Sequence, residues 1–365
     1  MHKYFNFADQ VLNTASPIIA QWANKNHIGL LDFDACFFDK NNDDVLAKHI
    51  QWIADNYNSI AIVESHPLFS TLEEYVKKIE KIKDQAARLN LPTMSWTADY
   101  RLWDNIKSDN QTFVPIWYFM LRQHAVTHNY RTYAFPENKQ YNFSCCNMSN
   151  YRFEKIYNYI ECYKRKRSDW YLTLYNHPGV RLSDMDIKDI GPLGAVQKQV
   201  WNSEIKYQIP EYQYDLQNNE NLNALSTIFE GHTNAYCNLV MEHSMEIEIV
   251  SEKSFKPFIA GQIPVYCASL GAAKFISSLG FDLFYDFINH DNYDSIVVTD
   301  YESFDNSIAR ITAVHKEIDK RYNTPFAEYF HRPDVKQRLE KNKERFYSDA
   351  IDHMTIQHLD KLIKR

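Results

Sequence analysis

The densest run of residues able to do chemistry is Met241–Gly261, MEHSMEIEIVSEKSFKPFIAG. Glu242 closes an apolar run. Ser251-Glu252-Lys253 then stands where a short helix opens, and Lys256 follows one turn on. The start of a helix leaves backbone N–H groups unpaired and carries the positive end of its dipole, which suits a phosphate. Lys253 and Lys256, three apart, share a face, so together they can hold a diphosphate. Glu242 and Glu252 can accept hydrogen bonds from ribose or sugar hydroxyls. A capped surface helix with a solvated Glu–Lys pair accounts for the same spacing without any ligand.

Two further groups follow apolar runs in the first third of the chain. Asp32-Phe33-Asp34 comes after Ile28–Leu31. Two carboxylates at a strand end can bind a divalent metal together with a nucleotide sugar. The same pattern resembles the nucleophile turn of haloacid-dehalogenase-like phosphohydrolases, where one Asp attacks phosphorus and the other serves as acid and base. That family expects Thr or Val where this chain has Cys36, and no partner Lys and acidic pair stands out. Two plain turn carboxylates are the third reading. Glu64-Ser65-His66-Pro67 follows the run Ser59–Val63. If both runs are neighbouring strands, Asp32, Asp34, Glu64 and His66 share one rim. A carboxylate there can take the proton from an attacking hydroxyl; Glu64 ranks before Asp34.

These residues need elements to hold them. His27–Phe38, Ser59–Val63 and Thr93–Trp96 read as strands. Asn41–Asn56 has a helical period, and Ser70-Thr-Leu-Glu73 offers a capping box that opens a helix to about Leu89. After a connection at Arg131–Gln140, strands are expected at Tyr141–Cys146, Trp170–Tyr175, Tyr236–Glu242 and Val265–Ala268. Helices are expected at Ser149–Tyr163, Ser254–Ala260, Ala272–Leu279, Asp305–Lys320 and Val335–Leu362; residues 176–222 show no period. Alternation of this kind predicts an α/β protein with largely parallel sheets. The domains are expected at 1–138 and 139–330, with a helical tail at 331–365.

Composition narrows the function classes. The 365 residues carry 40 Lys and Arg against 47 Asp and Glu, a formal charge of −7, so a general polyanion-binding surface is not expected. Only 8 residues are Gly, which argues against Gly-rich phosphate loops and flexible linkers. No cationic start with an apolar run is visible, and no apolar stretch approaches the ~18 residues that span a membrane. The six Cys sit mostly in apolar segments without a CxxC pair, and are read as reduced core residues of a cytoplasmic protein. The run Lys164-Arg165-Lys166-Arg167 is read as a solvated helix end.

The segment IVSEKSFKPFIAGQIPVYCAS resembles the nucleotide-sugar-binding motif of fucosyltransferase-like glycosyltransferases. The matching parts are Glu242, Ser251-Glu252-Lys253, Ala260-Gly261 and Pro264-Val265. The continuation LGAAKFISSLGFDLFYDFINHDNYDSI is similar to bacterial and phage glycosyltransferase-like proteins. Upstream, YNFSCCNMSNYRFEKIYNYI is similar to the strand, Ser-Asn turn and Arg-bearing helix that opens the second domain of such enzymes. The resemblance covers roughly 139–315 and implies a GT-B architecture: two facing Rossmann-like domains, with the donor held by the second. It implies that Glu252 contacts the donor ribose or sugar, Lys253 stabilises the leaving diphosphate and Glu242 helps place the sugar. Asn150 and Arg152 would add a second phosphate contact. Ser251 stands in place of the usual Thr, and Arg152 lies closer to Asn150 than in the family pattern.

The expectation is therefore a metal-independent glycosyltransferase without further cofactor, using a GDP- or UDP-sugar. Its acceptor would be a surface-glycan precursor or a phage-type modified DNA base. A phosphohydrolase built on Asp32 and Asp34, and a non-catalytic sugar-nucleotide-binding protein, are the rival expectations.

Overall fold

In the computed structural model the described residues are 16–32, 43–64, 73–103, 111–132, 136–147, 153–165, 169–174, 228, 230–242, 245, 249–298 and 305–363. They form two four-stranded sheets, both wholly parallel, with helices between the strands. Two compact units result. The first takes the described residues within Met1–Asn129 and Tyr347–Arg365, the second those within Tyr130–Phe346.

The first unit runs α1 (Pro17–Lys25), β1 (Ile28–Asp32), α2 (Asp43–Asn56), β2 (Ser59–Glu64), α3 (Glu73–Arg88), β3 (Thr93–Thr97), β4 (Gln111–Phe113) and α4 (Ile116–Thr127). Its strands lie in sequence order, β1-β2-β3-β4. Right-handed crossovers in that order place successive helices on one face. Accordingly Ile50 and Ile53 of α2 and Ile82 and Ala86 of α3 pack on Leu31, Ile60 and Ile62. Trp22 of α1 lies 6.5 Å from Trp96 on the opposite face. A sheet wound in one direction has no point where the strand order reverses.

The second unit runs β5 (Tyr141–Asn147), α5 (Phe153–Lys164), β6 (Trp170–Leu174), α6 (Glu230–Thr233), β7 (Ala235–Met241), α7 (Lys256–Ala260) and β8 (Ile263–Cys267). It continues with α8 (Ala272–Ser278), α9 (Asp291–Asp294), α10 (Asp305–Asp319), α11 (Phe326–His331) and α12 (Pro333–Tyr347). Here the order is β6-β5-β7-β8, so the winding reverses between β5 and β7. Alternation along the strands sends Phe143, Cys145, Cys237, Leu239, Ile263 and Val265 into a core with α5 and α10. Ser144, Cys146 and Asn238 therefore face the other side, where α6 lies. A Cβ on Gly231 of α6 would come 2.3 Å from the Tyr171 ring of β6 and 3.0 Å from the Cys146 thiol, so this approach needs a glycine.

The helix expected over Val335–Leu362 is two helices. α12 ends at Tyr347, and a last helix, α13 (Ala350–Ile363), belongs to the first unit. Tertiary bonds hold the break. Arg122 of α4 donates to the Tyr347 carbonyl at 3.3 Å and to Asp349 at 2.9 Å, and pairs with Asp352 at 2.5 Å. Ser16 bonds Asp352, and Trp22 Nε1 donates to Asp360 at 2.8 Å. The segments 33–38, 70–72 and 176–222, with Cys36, Lys166 and Arg167, lie outside the described residues; the five described cysteines carry free thiols.

Candidate functional site

In an open α/β sheet, ligands bind beyond the carboxyl ends of the strands, where the winding reverses. In the second unit that point lies between β5 and β7. Glu242 is the residue immediately after β7, and the turn Ser251–Lys256 carries the chain from there to β8. The contiguous motif is thus held by the sheet at the reversal.

Glu242 is 3% exposed, and both its oxygens are engaged by the turn. Oε1 accepts from the Ser251 N–H at 3.0 Å and the Ser254 hydroxyl at 2.6 Å; Oε2 accepts from the Ser251 hydroxyl at 2.6 Å. Charge-assisted bonds of this kind are the strong class. Glu242 therefore shapes the turn through contacts with the chain itself. Ser251 also caps the 3-10 turn Glu252–Ser254, accepting from the Lys253 N–H, and Tyr266 of β8 donates to the Ser254 carbonyl at 2.8 Å. Gly261, in the left-handed region at φ 60, ends α7 as the Gln262 N–H returns to the Pro257 carbonyl.

Glu252 is 3% exposed, and Lys253 Nζ sits 3.0 Å from its Oε1. Its other oxygen, Oε2, is buried and accepts no hydrogen bond. Burial alone would raise this carboxyl. The charges of Lys253 and Lys256, with the hydrogen bond from Lys253, outweigh it and hold Glu252 below its usual value. Glu252 is thus an ionised carboxylate with acceptor capacity to spare. Lys253 is the more accessible lysine, its side chain 21% exposed. Lys256 is buried, and burial, opposed first by Glu252, lowers it to about 8. Burial also pushes the Cys146 thiol up to about 12, and burial together with the Lys256 charge keeps His232 neutral. The two lysines therefore do not present one shared face as the spacing predicts: Lys253 is partly exposed, whereas Lys256 is buried within reach of the Glu252 charge.

Sequence reasoning missed several members of this group. Ser254 was legible in principle, since Ser251 and Ser254 are three apart and share a face. Gln262 was not. Its Nε2 donates to the Gly231 carbonyl at 3.2 Å and the Ala235 carbonyl at 2.9 Å, while its Oε1 accepts from Asn238 at 3.2 Å. This buried amide ties α6, and with it His232, to β7. Asn150 and Arg152, expected at the end of β5, lie outside the described residues.

In the first unit Asp32 is the last residue of β1, aligned with Val63, and Glu64 ends β2, aligned with Thr97. Both stand at the carboxyl edge of that sheet. Glu64 is 7% exposed and shares the α2–α3 face with Ile60 and Ile62. Asp34 and His66 lie outside the described residues. Among the described residues no group of three or more His, Cys, Asp or Glu is placed to hold a metal ion, and no helix is long and apolar enough to cross a membrane. Lys164 and Arg165, read from sequence as a solvated helix end, pair with Glu161, and Arg165 also with Asp319.

Comparison with protein-family models, with curated proteins and with solved structures returns no match to this chain.

Proposed function

We propose that the chain is a nucleotide-sugar-dependent glycosyltransferase of the two-domain GT-B type, with its donor held by the second unit. The observation that carries this reading is Glu252: an ionised, buried carboxylate with one oxygen unengaged, beside the Lys253 amine, at the reversal of a doubly wound sheet. A free carboxylate oxygen suits a pair of vicinal hydroxyls such as a ribose diol. An adjacent, partly exposed ammonium suits a diphosphate. The resemblance of the Ser251–Val265 segment to fucosyltransferase-like enzymes supports the same assignment.

In this reading the acceptor oxygen attacks the anomeric carbon while the bond from that carbon to the diphosphate oxygen breaks. Lys253 neutralises the charge gathering on the leaving diphosphate, which lowers the barrier where charge develops. Glu242 holds the turn that carries Glu252 and Lys253. A carboxylate takes the acceptor's proton as its oxygen attacks; by sequence Glu64 ranks before Asp34. The donor is a GDP- or UDP-sugar, and the acceptor a glycan precursor or a modified nucleobase. The reading calls for no cofactor beyond the donor.

The test is a thermal-shift series on the intact chain with GDP, UDP, ADP and CMP. Binding to the native state raises Tm by mass action. One nucleoside diphosphate is expected to raise it in the parent and to lose most of that effect in Lys253→Ala. If none of the four shifts Tm at millimolar concentration, the reading falls.

A further inference from the structure

Three residues on one face of α12, Arg338, Asn342 and Arg345, grip the loop Leu279–Asp286. Arg338 makes a double fork. Its Nε reaches Asp282 Oδ2 at 2.5 Å and its Nη2 reaches Asp282 Oδ1 at 2.9 Å. Asp286 receives Nη2 at 2.8 Å and Nη1 at 3.2 Å. Tyr329 adds a hydrogen bond to Asp286 at 2.8 Å. Asn342 reads the backbone of Asp282 at both ends, accepting its N–H and donating to its carbonyl, each at 2.7 Å. Arg345 donates to the Leu279 carbonyl at 2.9 Å. Inside this grip Phe284, fully buried, takes φ 55, a left-handed conformation costly for a bulky residue, with the Arg338 guanidinium 4.3 Å over its ring.

The gripped loop presents one side chain to the candidate site. The Phe281 ring stacks on Phe258 of α7 at 4.1 Å and 6°, and lies 5.9 Å from Phe255. Phe255 joins the 3-10 turn that bears Glu252 and Lys253 to α7. Val335 seats α12 in the core of the unit independently of Arg338. Losing the fork therefore loosens the loop without unseating the helix.

We propose that Arg338 is a positioning residue for the Glu252–Lys253 turn: it fixes the loop Leu279–Asp286, the loop fixes Phe281, and Phe281 holds α7 and the turn above the sheet edge. The proposal rests on the reading of that turn as the nucleotide site. The acting feature is the planar fork, which a lysine cannot reproduce at two carboxylates.

Hydrogen exchange on the intact chain tests the coupling without a ligand. In Arg338→Gln the amides of Ser254, Phe255 and Phe258, bonded to the carbonyls of Ser251, Glu252 and Phe255, are expected to exchange roughly tenfold faster, while those of β5 are unchanged. Arg165→Gln, which breaks a comparable fork to Asp319 and Glu161, should leave the turn as it is. Phe281→Leu should reproduce the effect, and the double variant should exchange no faster than Phe281→Leu alone. If Arg338→Gln fails to fold, Arg338→Lys gives the same measurement. Unchanged exchange at the turn in a folded Arg338 variant overturns the proposal, as does full additivity with Phe281→Leu. Calorimetric titration of GDP and UDP runs alongside. Affinity about tenfold weaker in Arg338→Lys, and unchanged in Arg165→Gln, extends the effect to binding. A parent chain that binds neither nucleotide sinks the nucleotide reading instead, and the exchange result alone then decides the role of Arg338.

Discussion

Glu242 separates two roles that one carboxylate could play. The resemblance implies contact with the donor sugar, whereas the geometry ties both oxygens to the turn. Three donors converge on it: the Ser251 N–H at 3.0 Å and the hydroxyls of Ser251 and Ser254 at 2.6 Å each. Hydrogen bonds to an ionised group contribute ~1.5–3 kcal/mol each. In Glu242→Ala the two hydroxyls can turn toward other acceptors, but the Ser251 N–H is fixed by the backbone and is left buried. The expected loss is therefore about 3–5 kcal/mol, around or below the low end of the ~4.5–9 kcal/mol that three full bonds would give. Against a native stability of roughly 5–15 kcal/mol, that is about a third or more of the total at mid-range and most of it at the low end. Glu242→Gln keeps one acceptor oxygen, and its amide can donate to a serine hydroxyl, so about 1–2 kcal/mol is expected. Urea denaturation followed by hydrogen exchange in β5 and β7 measures both. The Gln variant should also bind nucleoside diphosphate less tightly, because the turn is no longer held. An Ala variant within about 1 kcal/mol of the parent would refute the structural role. A Gln variant that loses transfer with stability and nucleotide affinity intact would put Glu242 on the sugar.

The remaining predictions concern charge. On the proposed reading, in which Lys253 supplies the positive charge at the leaving group, transfer should survive EDTA; loss of activity restored by manganese would overturn that assignment. Glu64→Gln should slow transfer by roughly 10²–10⁴-fold with donor affinity little changed, and a fully active variant removes Glu64 from the mechanism. Burial holds His290 at about 4 and His315 at about 3 in the folded second unit. Unfolded, both take up protons near pH 6.5, so the unfolded state binds more protons below that value. Their contribution is complete above pH 6.5 and lost as pH falls toward 4 for His290 and toward 3 for His315, ~3 kcal/mol for His290 alone. Denaturation midpoints measured from pH 7 to 4.5 should fall accordingly, with a shallower slope in His290→Gln; an unaltered slope would contradict the assignment.

Much of the second unit was legible because its signals are local. The strand ending at Met241, the turn Ser251–Lys256 and the strand at Ile263 lie within one short stretch, and strand–turn–strand order follows from apolar runs and capping residues. The α/β class followed from alternation alone. α4 left no period, because Ile116, Trp117, Tyr118, Phe119 and Leu121 are all buried and a helix covered on most sides lacks a polar stripe. The closing helix was drawn as one because helical period continues through Ser348-Asp349. Its break depends on Arg122, more than two hundred residues away.

The sequence by itself determined which residue types meet within a few positions of one another: the Glu–Lys turn, the left-handed Gly261 stop and the alternating strand faces. Strand order belongs to tertiary structure, since parallel neighbours are joined by crossovers whose direction no local pattern encodes. That order places the turn at a reversal in the second sheet and leaves the first without one. Tertiary structure also decided the state of each carboxylate. Glu242 is saturated, and Glu252 keeps an oxygen in reserve. The difference lies in burial and in the direction of donors that only folding brings to bear.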